Sequence, residues 1–173
     1  MKNRLAVLLG TWFYSGLIPP VVLTGMAGTY GSLFSVPLCY VLLVVASQGV
    51  VVPYYLTVGT IFLLGLWSVP RAEFALGPRT DWRGKTKVRD QNQIVIDEMF
   101  GMLVTCYPLI LMGVRPHWLN LGLAFALFRL FDIVKVPPAR FFDNMKNVFG
   151  VMLDDLVAAV YAGAVLYLVL MLF

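Results

Sequence analysis

The sequence predicts an all-α fold: a polytopic transmembrane helical bundle of about five spans, preceded by an N-terminal hairpin that is re-entrant or interfacial. Three observations predict it. The first is composition, since 60% of the 173 residues are hydrophobic, 13% are charged and the mean hydropathy is +0.84. A soluble domain carries roughly twice that charged fraction, so lipid must be the solvent for much of this chain. The second is the recurrence of apolar runs close to the ~20 residues a helix needs to cross hydrocarbon. The third is the gathering of Lys and Arg in alternate connections between those runs. The length suits one bundle, so residues 1–173 are read as a single integral-membrane domain.

The first element is the least regular. Lys2 and Arg4 precede a short apolar run, which resembles the opening of a signal peptide. Thr11, Ser15, Gly16 and Pro19-Pro20 break that run early, and no clean small-residue cleavage site follows. The spans then follow at about 31–48, 51–70, 94–113, 118–134 and 151–173. Ser47-Gln48-Gly49 makes an uncharged turn between the first two, and Arg115-Pro116-His117 separates the third from the fourth. No internal repeat is visible. Cys39 and Cys106 both lie in apolar runs, outside any CxxC pair, and are expected to pack as small buried side chains.

Charge placement orients these spans. Residues 71–93 hold Arg71, Arg79, Arg83, Lys85, Lys87 and Arg89, and residues 135–150 hold Lys135, Arg140 and Lys146. Basic loops stay in the cytoplasm, so both are expected to face inward and the carboxyl terminus outward. The span at 31–48 then starts from the cytoplasmic side, which Lys2 and Arg4 also favour. Residues 5–30 must therefore enter and return, or lie on the surface; a sixth, kinked span is the plainer alternative. Trp12, Trp67, Trp82 and Trp118 fall near span ends, as an aromatic belt would. The basic 71–93 loop is expected to rest against anionic head groups.

Five of the nine acidic residues sit in or at the edge of hydrophobic spans: Asp97, Glu98, Asp132, Asp154 and Asp155. A charge there costs about 3 kcal/mol on insertion scales and usually has a function or a partner. The topology puts all five at the cytoplasmic ends of three helices. So many like charges need a cation, and hard carboxylate oxygens suit Mg²⁺, which also favours phosphate oxygens. Arg129, Asp132 and Lys135 are spaced to share one broad helix face, so two bases stand beside the acids. Beside a carboxylate-bound metal they would suit a phosphate. Structural ion pairing is the simpler account of Arg129 with Asp132 taken alone.

What is missing narrows the chemistry. Neither cysteine has an arginine six positions on, as a cysteine-phosphatase loop requires, and no Asp-x-Asp pair offers an aspartyl-phosphate nucleophile. The one histidine, His117, falls at the opposite ends of the spans, and there is no Gly-rich Walker loop. Metal-assisted attack by water remains. An ion or metal transporter using the same carboxylates is the alternative, although the outer halves of the spans carry no acids to extend a path. A noncatalytic membrane subunit, whose charges hold partner helices, is a third reading.

The order of these residues resembles a known family. Ile94-Val95-Ile96-Asp97-Glu98 with Gly101 resembles the IVxDExxG motif of the phosphatidylglycerophosphatase A family, with Asp90 just before it. Residues 128–135, from Phe128-Arg129 through Asp132 to Lys135, resemble its FRxxDxxK segment. Gly150-Val151-Met152-Leu153-Asp154-Asp155 resembles its GIMxDD segment, with Ala158 and Gly163 following. Ser15-Gly16-Leu17 and Gly28-Thr29-Tyr30-Gly31-Ser32-Leu33 resemble its SGL and GTxGSL elements. The chain departs from the pattern at Val136, at Asn147-Val148 and at Ala27, all in loop or turn positions.

The resemblance implies a Mg²⁺-dependent lipid phosphatase of a bacterial inner membrane. It would convert phosphatidylglycerophosphate to phosphatidylglycerol from the cytoplasmic leaflet. Asp97, Glu98, Asp132, Asp154 and Asp155 are then expected to hold one or two Mg²⁺ ions, with one of them free to act as general base. Arg129 and Lys135 are expected to neutralise the phosphate. Gly28, Thr29, Gly31 and Ser32 offer donors to the head group, or form a close-packed turn. Arg140 and Asp143, in the second basic loop, are further candidates against a reading as solvated surface charge.

Overall fold

A computed structural model describes residues 2–18, 26–80, 86–88, 91–145 and 147–172. Pro19, Pro20, Trp82, Arg83, Lys85, Arg89, Asp90 and Lys146, all considered above, lie outside the described residues. The protein is built from helices α1 (Lys2–Gly10), α2 (Ala27–Ser47), α3 (Val52–Leu76), α4 (Ile96–Thr105), α5 (Tyr107–Leu111), α6 (Trp118–Val134), α7 (Ala139–Asp143) and α8 (Val148–Leu172). Two short strands, β1 (Arg79–Thr80) and β2 (Thr86–Lys87), pair antiparallel in the basic loop, an element that periodicity does not signal.

Three of these helices, α2, α3 and α8, are long and apolar enough to cross a membrane. The other two predicted spans take different forms. The 94–113 segment is divided at Cys106 into α4 and α5. Pro108 supplies the reason, since it lacks an amide hydrogen and its ring crowds the carbonyl four residues back. Helix α6 has 17 residues, about 25 Å at 1.5 Å per residue, against a hydrocarbon core of roughly 30 Å.

The N-terminal segment follows no straight course. Helix α1 packs along α3, with Gly10 against Ala72 and Ser68. Its nine residues span only about 13 Å, so no ordinary spanning helix occurs here among the described residues. Trp12, Phe13 and Tyr14 then adopt positive φ angles of 45°, 55° and 66°. Left-handed backbone costs each L-residue roughly 1–2 kcal/mol, so the surroundings must hold it. The Phe13 amide donates to the Leu8 carbonyl, the Gly16 amide to Thr11, and the Val95 amide to Gly10. A methyl group at Gly16 would overlap the Gln93 carbonyl oxygen. Only glycine lets this turn, with its short 3₁₀ segment Ser15–Leu17, close over the irregular segment that leads into α4.

The helices run up and down. At one end lie the starts of α2, α4 and α8 and the finish of α6. At the other, Tyr40 of α2 stacks on Trp118 at the start of α6 at 4.6 Å, and Tyr55 of α3 meets Tyr107 of α5. Met99, Met102 and Leu103 of α4, Leu121 and Phe128 of α6, and Met152 and Leu166 of α8 fill the centre and are fully buried. Phe128 lies against Gly101, and Gly65 of α3 receives Met152. Cys39 and Cys106 are free thiols in this core. The Tyr54 hydroxyl donates to the Leu103 carbonyl, which satisfies a polar group in an apolar setting.

Candidate active site

Each helix end contributes to the site for a local reason. Val95 has non-helical backbone and starts α4, so Asp97 and Glu98 fall in its first turn. Acidic side chains are favoured there by the helix dipole. The Asn147 side chain accepts from the Gly150 amide at 2.8 Å, which caps the start of α8 one turn before Asp154 and Asp155. At the far end of α6, Lys135 adopts φ 50° and closes the helix, its amide donating to the Phe131 carbonyl. Asp132 lies one turn before it and Arg129 one turn earlier again.

These ends enclose a cavity of about 260 Å³ lined by all five predicted carboxylates, by Arg129 and Lys135, and by Gly28. Five carboxylates against two bases leave a formal excess of three negative charges. The structure sorts the acids into two groups. Asp97, Glu98 and Asp155 bring one carboxylate oxygen each within 4.8 Å of the others, the arrangement of a metal-binding trio. Glu98 Oε2 and Asp155 Oδ2 are buried with no hydrogen-bond partner.

Asp132 and Asp154 are instead tied to the bases. Arg129 Nη1 pairs with Asp132 Oδ2 at 2.8 Å. Lys135 Nζ bonds Asp154 Oδ2, reaches Asp143 Oδ1 at 2.9 Å and stands 4.0 Å from Asp132. Burial works to lower the Lys135 pKa, but the Asp154 carboxylate, with Asp155 and Asp143 behind it, raises it above the ordinary lysine range. Lys135 is therefore a lasting cation at neutral pH. Arg129 keeps one donor, Nε, buried and without a partner.

The remaining candidates are distributed differently. Gly28 is part of the wall: a methyl group there would overlap Glu98 Oε1 and stand 3.1 Å from Arg129 Nη1. Ser32 is fully buried behind Arg129, whose Nη1 donates to its hydroxyl at 3.5 Å, and that hydroxyl donates to the Gly28 carbonyl at 2.8 Å. Thr29 is on the first turn of α2, and Arg140 is exposed on α7; neither lines the cavity. His117 caps the opposite end of α6, its Nδ1 accepting from the Leu119 amide at 3.2 Å. Sequence reasoning passed over Gln91 and Asn92, which complete the cavity wall. Their one signal was a polar run immediately before an apolar helix.

Comparison with known proteins gives the same direction. The family model described as phosphatidylglycerophosphatase A matches residues 8–170. Phosphatidylglycerophosphatase A of Haemophilus influenzae is 35% identical over 161 residues, which cover 92% of this chain and 85% of that protein. The Escherichia coli protein of the same name is 32% identical over 175 residues, 97% of this chain and 88% of the relative. A Bacteroides thetaiotaomicron protein, named provisionally as a phosphatidylinositol-3-phosphatase, is 32% identical over 163 residues, 91% of this chain and 89% of its own. No solved structure matches the chain. With five carboxylates and two bases gathered in one cavity of a membrane-type helical bundle, and with a family match over nearly its whole length, the chain belongs to the phosphatidylglycerophosphatase A family and is a phosphoric monoester hydrolase.

Proposed function

We propose that the chain is a Mg²⁺-dependent phosphatidylglycerophosphate phosphatase of a bacterial inner membrane, with its site on the cytoplasmic face. The observation that carries this reading is one cavity holding both a carboxylate trio and two bases, Arg129 and Lys135. The residues fit the metal: hard oxygen donors converge, and two buried carboxylate oxygens have no partner within the protein. Asp97, Glu98 and Asp155 would hold the ion. Bound there, Mg²⁺ would supply Lewis-acid polarisation of a phosphoryl oxygen.

The side chains account for the rest of the reaction. Arg129, held by Asp132 and Ser32, brings its positive charge to the phosphate monoester, and Lys135 adds a fixed charge at its flank. A carboxylate accepts a proton from the attacking water. The water oxygen bonds to phosphorus, the phosphorus–oxygen ester bond breaks, and the proton taken from water is returned to the leaving glycerol oxygen, which leaves the carboxylate ionised again. Phosphatidylglycerol and inorganic phosphate result. Family relatives named phosphatidylglycerophosphatase A favour this substrate.

The five-span arrangement belongs to the same proposal. Counting α4–α5 and α6 with the three long helices makes five crossings, and both basic loops then share the site's side of the membrane. The testing assay is phosphate release from phosphatidylglycerophosphate by purified, detergent-solubilised protein, with Mg²⁺ and with chelator. Metal-dependent release is the expected result. No release from folded protein in lipid and Mg²⁺ would refute the substrate assignment.

A further inference from the structure

Gln91 is buried, at 2% exposure, yet forms part of the wall of the acidic cavity. Its amide nitrogen faces three backbone carbonyls: it donates to Gly77 at 2.8 Å and to Val88 at 3.2 Å, with Glu73 at 3.4 Å. An amide nitrogen carries donors only, and the oxygen acceptors only. Reversing the amide would set its oxygen against three carbonyl oxygens, so its orientation is fixed. The oxygen on the opposite side, Oε1, is buried and has no partner. Buried polar atoms are nearly always satisfied, and an orphaned one calls for an explanation.

The rest of the cavity is already suited to charge. The carboxylate trio suits a cation, while Arg129 and Lys135 suit phosphate oxygens. Gln91, on the wall of the same cavity, adds a neutral acceptor that has no partner, and the match of such an acceptor is a neutral donor. The proposed substrate has one such group near its reacting end, the free hydroxyl of the glycerol that links its two phosphates. We infer that Gln91 is a specificity residue whose side-chain carbonyl accepts a hydrogen bond from that hydroxyl. The inference rests on the phosphatase reading above and adds to it a reason for choosing a hydroxylated linker. The three carbonyls that hold the amide belong to the end of α3 and to the basic loop. The two sides of this loop thereby fix the position of the acceptor.

The test uses two synthetic lipids, phosphatidylglycerophosphate and an analogue in which propane-1,3-diol replaces the linking glycerol. The two differ only in the missing hydroxyl. Phosphate release is measured in mixed micelles with Mg²⁺, and kcat/KM is compared between the lipids. The wild-type protein is expected to prefer the hydroxylated lipid about ten- to hundredfold, the range for one hydrogen bond to a buried group. Gln91→Met removes the acceptor at similar size and is expected to treat both lipids alike, whatever its absolute rate. The ratio between lipids isolates recognition from any general loss through a loosened loop, and thermal unfolding in detergent establishes that each variant is folded.

Equal kcat/KM for the two lipids in the wild-type protein would overturn the inference and leave the phosphatase reading standing. A wild-type preference that persists in folded Gln91→Met would also overturn it, since the hydroxyl would then be read elsewhere. Release from neither lipid would overturn the phosphatase reading and this inference with it.

Discussion

Arg129 and Lys135 both bring positive charge to the cavity, but they are held differently and their replacements should differ. Arg129 is half-buried, shares Nη1 between Asp132 and Ser32, and has a buried Nε without a partner. Arg129→Lys preserves the charge and loses this fork, so it is expected to lower kcat by about 10²–10³-fold, as loss of one oriented transition-state donor does. Initial rates of phosphate release measure this. Lys135 instead neutralises Asp154 and Asp143 and stands near Asp132, with 29% of its side chain exposed. Lys135→Met leaves those carboxylates facing one another. It is expected to cost about 1–3 kcal/mol of stability, below the full penalty for a buried broken pair because water still reaches the site. Thermal unfolding in detergent checks this, and a gain in stability would contradict it. Asp155 belongs to the trio, so Asp155→Asn is expected to abolish metal-dependent turnover while leaving the fold intact. A variant with wild-type rate and wild-type Mg²⁺ dependence would remove Asp155 from the proposed metal set.

Among the elements, the N-terminal turn and the start of α4 depend on each other. The Gly10 carbonyl accepts the Val95 amide, and Gly16 lies directly on the Gln93 carbonyl. Gly16→Ala would push the turn away from the segment that leads into Asp97 and Glu98. A loss of about 1–3 kcal/mol is expected from this overpacking, together with a fall in kcat, measured by thermal unfolding and by phosphate release. Gly28→Ala acts closer to the chemistry, since the added methyl would meet Glu98 and Arg129 at once. It is expected to reduce turnover far more than stability. The SGL and GTxGSL elements thus have a steric meaning that spacing alone did not reveal. Both glycines let backbone approach the α4 region closely, and a close approach is a property of two segments rather than of one.

For the whole molecule, the site lies at one end of an up-and-down bundle, which makes a topological expectation. Thr86 and Asn144 lie in the two loops at the site end, whereas Gln48 and His117 lie at the other. Cysteine placed at Thr86 or Asn144 is expected to react with a membrane-impermeant maleimide only in inverted vesicles, and cysteine at Gln48 or His117 only in intact cells. The native Cys39 and Cys106 are buried and should stay silent. Labelling of Thr86→Cys from outside would reverse the orientation proposed here.

Much of this was legible beforehand. Composition required a membrane bundle, because so few charges cannot cover a soluble surface. The five intramembrane carboxylates, Arg129 and Lys135 stood out because charge in an apolar run is costly and therefore informative. Other features depended on distance between remote segments. The break at Cys106, the left-handed turn at Trp12–Tyr14 and the β1–β2 pairing leave little mark on apolar periodicity. The sequence by itself determined the solvent, the helical class and the set of charged residues available for chemistry, all of which follow from residue type and local spacing. Only the tertiary structure decided which acids face one another as a trio, which are held by Arg129 and Lys135, and that Gln91 joins them. Those outcomes are set by how α2, α4, α6 and α8 rotate about their axes when they pack, and that rotation is fixed by contacts such as Phe128 on Gly101 and Met152 on Gly65.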